Sequence, residues 1–546
     1  MQGILNPTVA GFISKMPIEM ESLSEENGDN VQLLRAVKKN PNFTSLYGLF
    51  VTFACAISGF LFGYDQGIID TVLKMESFQL NFGTAALTPS PNSSQIQTLV
   101  PSPDAADING NIVFTFLIGC IGGAALSAFI VDSLGRTRSI LVGTIFFTVG
   151  GVIQATCSSR APFYLSRIAS GLGIGVLSNV APLYISEVSP TALRGRMVAV
   201  QQLMIVLGIF IASCVNAGMY TFVRGDSQWR GALAAQCVPG VILLCLLFVL
   251  PHSPRWLMMK NRDAEAEVVV KRLLGSDSQE ERRSGAGFAA AHAEIQLIRE
   301  SLNAERQAGT VSWRQLFQER DVLHQTRMVI LLAVFQQLTG INVIMYYAAD
   351  LFERMGVAAS TASTSLVILN ALVLVLATLP GLWLVERWGR RRLLVVGGWS
   401  MCACHVAVCI FVTLSERVPS LSWAAVVSMM SFTAAFSASW GPVVWVIQSE
   451  VFPLRARAKG TSLGTLSNWT ACAIIGKIAP LLVEAFHQWV YLGLGVCCSV
   501  MALYSQSMVP ETRGVPLERM ASLFQDKFEG AKSQVGASNE QQVADE

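Results

Sequence analysis

Twelve apolar runs, each close to the roughly 20 residues that cross a bilayer, divide this 546-residue chain into two groups of six. The expected spans are 46–69, 108–131, 139–157, 163–186, 197–219 and 231–250, then 327–350, 362–385, 393–414, 422–447, 460–484 and 488–508. Between the groups lies a polar segment, 251–326, in which Asp263 to Leu274 and Ala290 to Leu302 carry the periodicity of short amphipathic helices. With 52% hydrophobic and 14% charged residues and a mean hydropathy of +0.48, the chain is too apolar for a soluble protein of this size. The expectation is an all-α membrane protein. Its parts are a tail over 1–45, a six-helix half over 46–250, linker helices over 251–326, a second half over 327–508 and a tail over 509–546.

Several function classes fall away at this level. A formal charge of +2 does not suit a nucleic-acid binder. The twelve cysteines lie in apolar stretches and read as small buried hydrophobes. Cys402-Ala403-Cys404-His405 has no second ligand pair nearby, so neither a metal nor a cofactor is expected. Gly171-Leu172-Gly173-Ile174-Gly175 lacks the spacing and preceding strand of a phosphate loop and reads as close helix packing. No nucleophile–base pair points to an enzyme. The first 45 residues lack the apolar core of a signal peptide, so the first span itself is expected to direct insertion.

Orientation follows from the basic residues, which are retained on the cytoplasmic side of span ends. With both termini inside, six of the 39 Lys and Arg fall outside (Lys74, Arg160, Arg224, Arg230, Arg354, Arg417). Two lie within spans (Arg167, Lys477) and the remaining 31, counting Arg327 at the inner end of the seventh span, are cytoplasmic. Lys477 reads as snorkelling or facing solvent. The long outer loop near 70–107 then presents Asn92-Ser93-Ser94 as a glycosylation acceptor. Asn42-Phe43-Thr44 and Asn468-Trp469-Thr470 match the same pattern but lie in the cytoplasm and the membrane.

Phe335-Gln336-Gln337-Leu338-Thr339-Gly340-Ile341-Asn342, followed by Val343-Ile344-Met345-Tyr346-Tyr347, puts amides at membrane depth, where polar side chains usually face a bundle interior or a cavity. On a continuous helix Gln336 and Gly340 share one face, and Gln337, Ile341 and Met345 another. Such a face offers neutral donors and acceptors to a polyhydroxylated solute; helix-to-helix glue is the other use of such amides.

The two halves also repeat their motifs. Asp132-Ser133-Leu134-Gly135-Arg136 returns as Glu386-Arg387-Trp388-Gly389-Arg390. Glu187 to Arg194 returns as Glu450 to Arg457, and Pro251-His252-Ser253-Pro254-Arg255 is echoed by Pro510-Glu511-Thr512-Arg513. All fall on the expected cytoplasmic side. Each joins an acid to arginines across a Gly or Pro turn, a composition suited to ion pairs between helix ends that bias a two-state equilibrium.

With these motifs, Gly63-Tyr64-Asp65-Gln66-Gly67 and Val509-Pro510-Glu511-Thr512-Arg513-Gly514, the chain over about 44–520 resembles the sugar porters of the major facilitator superfamily, the fungal branch in particular. The resemblance implies two pseudo-symmetric six-helix halves, a solute site between them, and alternating access by rocking. Carried over residue by residue, it implies that Gln202, Gln336, Gln337, Asn342, Trp445, Asn468 and Trp469 bind the solute and that Tyr346 and Tyr347 form a gate. It implies energy coupling through Asp65, a lone acid in the first span, and Arg167. The cytoplasmic charge network would comprise Asp132, Arg136, Glu187, Arg194, Glu386, Arg390, Glu450 and Arg457. One departure stands out: the family's eighth-span asparagine position is occupied by Leu374, and Asn370 lies one helical turn away, with Pro380 between Leu374 and Glu386. The expectation is a plasma-membrane, monomeric, proton-coupled importer of a monosaccharide such as glucose. A uniporter, a carrier of a disaccharide such as sucrose or of a polyol, and a sugar-sensing receptor are the alternatives.

Overall fold

The computed structural model describes residues 45–90, 93–190, 193–274, 291–292, 294–300, 302–303, 309, 311–344, 365–515, 520 and 523–524. The first half contains Leu46–Val72 (α1), Ala105–Leu134 (α2), Arg136–Thr156 (α3), Arg160–Val188 (α4), Arg194–Phe222 (α5) and a sixth span, α6, made of Ser227–Ala235 and Cys237–Leu247. The second half contains Arg320–Leu338 (α7), Val367–Arg387 (α8), Arg390–Ser415 (α9), a tenth span, α10, made of Ser422–Ala438 and Trp440–Glu450, then Leu454–Phe486 (α11) and Trp489–Met508 (α12). Eleven of these are long and apolar enough to cross a membrane among the described residues. α11 is not one of the eleven, but at 33 residues it exceeds bilayer thickness and packs along α2 and α7.

Ser45 starts α1: its Oγ accepts from Gly48 N at 3.0 Å and donates to Leu273 O at 2.7 Å, which ties the first span to the linker helix Asp263–Leu274. The linker also holds a short helix, Pro254–Met259, and helical residues between 291 and 303. Trp256, Val270, Ile295 and Ile298 bury their side chains together there. These elements define a linker face of the molecule and, opposite it, a far face. On the far face, the segment between α1 and α2 is more ordered than a simple loop. It forms a helix, Glu76–Phe82, and an antiparallel hairpin of Ala85–Ser90 (β1) and Ser93–Pro101 (β2), paired from Ala85↔Pro101 to Thr88↔Thr98. Asn92 lies outside the described residues.

Helix packing is close because small residues let backbones touch. A Cβ on Gly63 of α1 would strike the Ile205 carbonyl of α5. One on Gly171 or Gly175 of α4 would strike the Phe116 or Cys120 carbonyl of α2. Such contact holds helices together where no hydrophobic force separates protein from lipid. One buried cluster spans both halves, bringing Leu374, Trp445 and Trp469 into the same core as Leu61, Phe116 and Ile205. The interface therefore packs as an interior.

Two spans are interrupted at depth. α7 ends at Leu338, and Gly340 follows at φ +87°, a left-handed conformation that glycine tolerates. The regular helix expected through Gln336 to Met345 is therefore interrupted at Gly340, and helical residues resume over 341–344. α10 breaks at Ser439 (φ −131°, ψ −83°), just before Trp440-Gly441-Pro442. Proline cannot donate a backbone hydrogen bond, so Pro442 leaves the Ala438 carbonyl without its helical donor.

Candidate functional site

Across the break, Gln336 Nε2 donates to Trp440 O at 2.9 Å and Gly441 O at 3.2 Å, which fastens α7 to the second part of α10. Its Oε1 accepts from Asn468 Nδ2 at 2.8 Å, Asn468 Oδ1 accepts from Gln337 Nε2 at 3.1 Å, and Gln337 Oε1 accepts from Asn342 Nδ2. Four amides thus form one chain across the two sides of the α7 break and onto α11. Gln336 both joins helices and borders the cavity, so the two uses considered for these amides coexist in one side chain. Pre-linked amides are held in place before any solute arrives.

The amides border a cavity of about 60 Å³ between the halves. Gln336, Gln337, Asn342, Trp445, Asn468 and Trp469 line it from the second half and Gln202 from α5, with Phe62, Gln66, Ile205, Leu374 and Phe436 filling the remaining wall. None of the lining side chains is charged. The structure thus brings all seven proposed solute-binding residues to one chamber. Tyr346 and Tyr347 lie outside the described residues. Gln66 of the first-span motif also lines the chamber, and an amide at membrane depth beside an acid is its signal in the sequence. The eighth span puts Leu374 on this wall and Asn370 on a neighbouring one.

Asp65 and Arg167 sit behind the chamber wall. Arg167 Nη1 donates to Asp65 Oδ1 at 2.7 Å, and the two side chains are 1% and 0% exposed. The guanidinium also lies 4.4 Å over the Phe116 ring, and Phe116 meets Trp469 edge-on at 6.3 Å. A short aromatic path therefore runs from the buried ion pair to the chamber. Asp65 Oδ2 has no hydrogen-bond partner among the described residues, so it is the oxygen free to take a proton.

Toward the linker face the halves are joined in two layers. The upper layer is uncharged: Asn179 Nδ2 donates to Ser127 Oγ and Ser462 Oγ, both at 2.8 Å. Trp469 Nε1 donates to Ser178 Oγ at 3.1 Å. The lower layer is charged and follows the sequence repeat. Arg136 pairs with Glu187 at 2.9 Å and Asp132 at 3.3 Å, while Ser253 donates to Glu187 at 2.5 Å. In the other half Arg390 pairs with Glu450 and Glu386, both at 3.1 Å, and Thr512 donates to Glu450 at 3.3 Å.

The remaining arginines hold backbone in their own half: Arg194 donates to Ser186 O at 2.9 Å and Arg457 to Phe452 O at 3.0 Å. Their charges act across the interface, Arg194 on Glu450 and Arg457 on Glu187. Arg196 N of α5 also donates to Glu386 Oε1 of α8 at 3.1 Å. The linker face is closed.

Beside this network His252, outside the spans, has its pKa pushed below the usual 6.5 by burial and by Arg138 and Arg262. Glu511, at the matching place in the repeat, accepts from Arg390 N at 2.9 Å and Arg391 N at 3.1 Å. In the apolar Cys402–His405 cluster, His405 Nε2 pairs with Thr339 O at 2.9 Å, bracing the α7 break. Lys477 is exposed and borders a cavity of about 460 Å³ at the far face, with Asp70, Lys74 and Asp107.

This geometry can hold a neutral hydroxylated solute and expose it alternately to two sides. A model of the family described as "Sugar (and other) transporter" matches residues 51–524. The chain is 32% identical over 490 residues to the galactose-proton symporter of Escherichia coli K12, covering 88% of this chain and 96% of that one. It is 32% identical to a high-affinity hexose transporter of Saccharomyces cerevisiae, covering 86% and 80%. Among solved structures it resembles a proton:xylose symporter bound to 6-bromo-6-deoxy-D-glucose, with a TM-score of 0.75 at 28% identity, covering 88% and 100%. The inward-open xylose transporter from Escherichia coli scores 0.63 at 26% identity, covering 87% and 100%. The lower score fits the closed linker face described above. The chain is a multi-pass membrane protein and not an enzyme, and it belongs to the sugar transporter family of the major facilitator superfamily.

Proposed function

We propose that this protein imports a monosaccharide, with glucose as the leading solute, together with a proton, by alternating access. The observation that carries the reading is the uncharged chamber: amides suit hydroxyls, Trp445 and Trp469 suit a ring face, and no ion is offered a counter-charge. The relatives named for proton symport of galactose and xylose support the coupled form.

In the proposed cycle the solute enters from the far face, which is the outside, and contacts Gln202, Gln336, Gln337, Asn342 and Asn468. Protonation of Asp65 at Oδ2 weakens its hold on Arg167. The Phe116–Trp469 contact passes that change to the chamber wall, and the two layers toward the linker face part. Loss of the proton to the cytoplasm restores the ion pair and resets the carrier. The linker and both termini are cytoplasmic, the membrane is the plasma membrane, the carrier acts as a monomer, and Asn92 is open to glycosylation.

Uptake of labelled sugars by a transporter-null cell, with and without a protonophore, tests the reading. Accumulation above the outside concentration that collapses with protonophore is expected. Uptake that only equilibrates, unchanged by protonophore and by Asp65→Asn, would establish a uniporter instead.

A further inference from the structure

The cavity of about 460 Å³ at the far face lies between α2 and α11, with the end of α1 as its third wall. Nearer the linker face the same two helices touch, through Ser127 Oγ and Ser462 Oγ at 3.0 Å and, beside the chamber, through the rings of Phe116 and Trp469. The gap is therefore local to their far ends. Its apolar wall is made by Leu73, Val113, Phe114, Leu117 and Leu481. Phe114 and Leu481 are exposed, and Ile474 and Ile478 continue the Leu481 face of α11 with exposed side chains. The wall thus runs into the apolar surface that the two spans present to lipid chains.

Charges stand around this apolar space. Asp70 and Lys74 hold each other at 3.7 Å. Lys477 and Asp107 both line the cavity, yet neither is in an ion pair among the described residues. Lys477 reaches from α11 toward α2: a Cβ on Gly110 would stand 4.0 Å from its Nζ, and Gly110 is one turn from Asp107, which lies in the first turn of α2. A cation and an acid thus face one cavity without neutralising each other. Beside them the Oδ1 of Asn109, another lining residue, is buried and has no hydrogen-bond partner among the described residues. A buried acceptor without a donor is costly, and a ligand N–H that reaches it removes that cost.

These groups suit a ligand that joins a hydrogen-bonding cation, a nearby anion and an apolar tail. A primary ammonium fits Asp107 and Asn109 Oδ1, a phosphate fits Lys477, and an acyl chain fits the wall. A quaternary ammonium has no N–H for Asn109, and a headgroup without a cation sets its phosphate against Asp107. We infer that the gap between the far ends of α2 and α11 is a binding site for one phosphatidylethanolamine molecule, with Lys477, Asp107 and Asn109 reading its headgroup. The inference is independent of which solute the chamber takes. It gives a use to a lysine placed within a span.

The test is native mass spectrometry of the full-length carrier in detergent, titrated with phosphatidylethanolamine, phosphatidylcholine or phosphatidylglycerol of identical acyl chains. Wild type is expected to bind one phosphatidylethanolamine about fivefold more tightly than either of the others, the weight of a partly exposed charge contact. Lys477→Gln lowers that affinity by a similar factor and Lys477→Arg restores it. Asp107→Asn removes the preference over phosphatidylglycerol, and Asn109→Ala narrows the preference over phosphatidylcholine. Each variant is scored by its ratio between lipids, so a general loss of stability does not imitate the result. Equal affinities for the three lipids in wild type, a preference for phosphatidylglycerol, or a phosphatidylethanolamine preference that survives both Lys477→Gln and Asp107→Asn would overturn the site.

Discussion

Trp469 of α11 donates its indole N–H to Ser178 Oγ of α4 at 3.1 Å, while its ring stands 5.1 Å from Phe62 at the wall of the solute chamber. One side chain therefore borders the chamber and fastens the two halves. Ser178→Ala removes the fastening and leaves the ring. A net loss of ~1 kcal/mol from the closed state is expected to raise the KM for the transported sugar about three- to tenfold at unchanged surface abundance. An unaltered KM in concentration-dependent uptake would show that this bond does not bias the equilibrium.

The buried Asp65–Arg167 pair makes an asymmetric prediction. Asp65→Asn keeps a neutral acceptor and is expected to abolish accumulation while retaining sugar exchange across the membrane. Arg167→Gln leaves an acid that can take up a proton and become neutral, whereas in Asp65→Asn the buried guanidinium stays charged without its counter-ion, an arrangement that costs ~3–5 kcal/mol. The thermal denaturation of Asp65→Asn in detergent should therefore fall below that of Arg167→Gln. Equal melting of the two variants would argue against a buried charged pair.

The charged layer is expected to act as a unit. Glu450→Gln leaves Arg390 with Glu386 alone and removes an acid that Arg194 faces. Net uptake should drop at least about tenfold through loss of the closed state, since truncating one partner of a buried pair is strongly destabilising. Glu187→Gln should do the same. The double variant should be little worse than either, because groups in one network are not additive; initial rates of the three variants check this.

At the linker face, the pKa of His252 is lowered from 6.5 by burial and by Arg138 and Arg262, with Glu265 opposing. A histidine with a depressed folded-state value stabilises the fold above 6.5 and loses that contribution as pH falls through the depressed value. Melting temperature measured from pH 7.5 down to 5 should therefore fall less steeply in His252→Gln than in wild type. Parallel profiles would remove His252 as a source of the acid sensitivity.

Much of the site was legible in the sequence because amides and a lone acid within apolar runs have few uses at membrane depth. Asp65 and the amides Gln336, Gln337 and Asn342 stand out by type and depth, while Gln202, Trp445, Asn468, Trp469 and the role of Arg167 enter through the resemblance that the motifs carry. What periodicity missed was the backbone. A regular helix through Gln336 to Met345 ignores the left-handed Gly340, and a single tenth span ignores the break at Ser439. Pattern matching sees side-chain spacing, while these breaks are set by backbone dihedrals at Gly340 and Ser439. The hairpin Ala85–Pro101 escaped for a similar reason: its pairing is between backbones, in a stretch read only as a loop.

The crossed electrostatics of the charged layer bear on how the carrier opens. Each half holds an acid, Glu187 or Glu450, that feels an arginine of the other half, Arg457 or Arg194. Neither acid can lose its opposite-half cation without the halves separating, and separation strips both at once. Opening is thus cooperative by construction, and the incoming water, by raising the local dielectric, is what makes the separated charges tolerable. Hydration of the linker face is then a reactant in the transport cycle, and osmolytes that withdraw water from that face should slow the opening step more than they weaken solute binding.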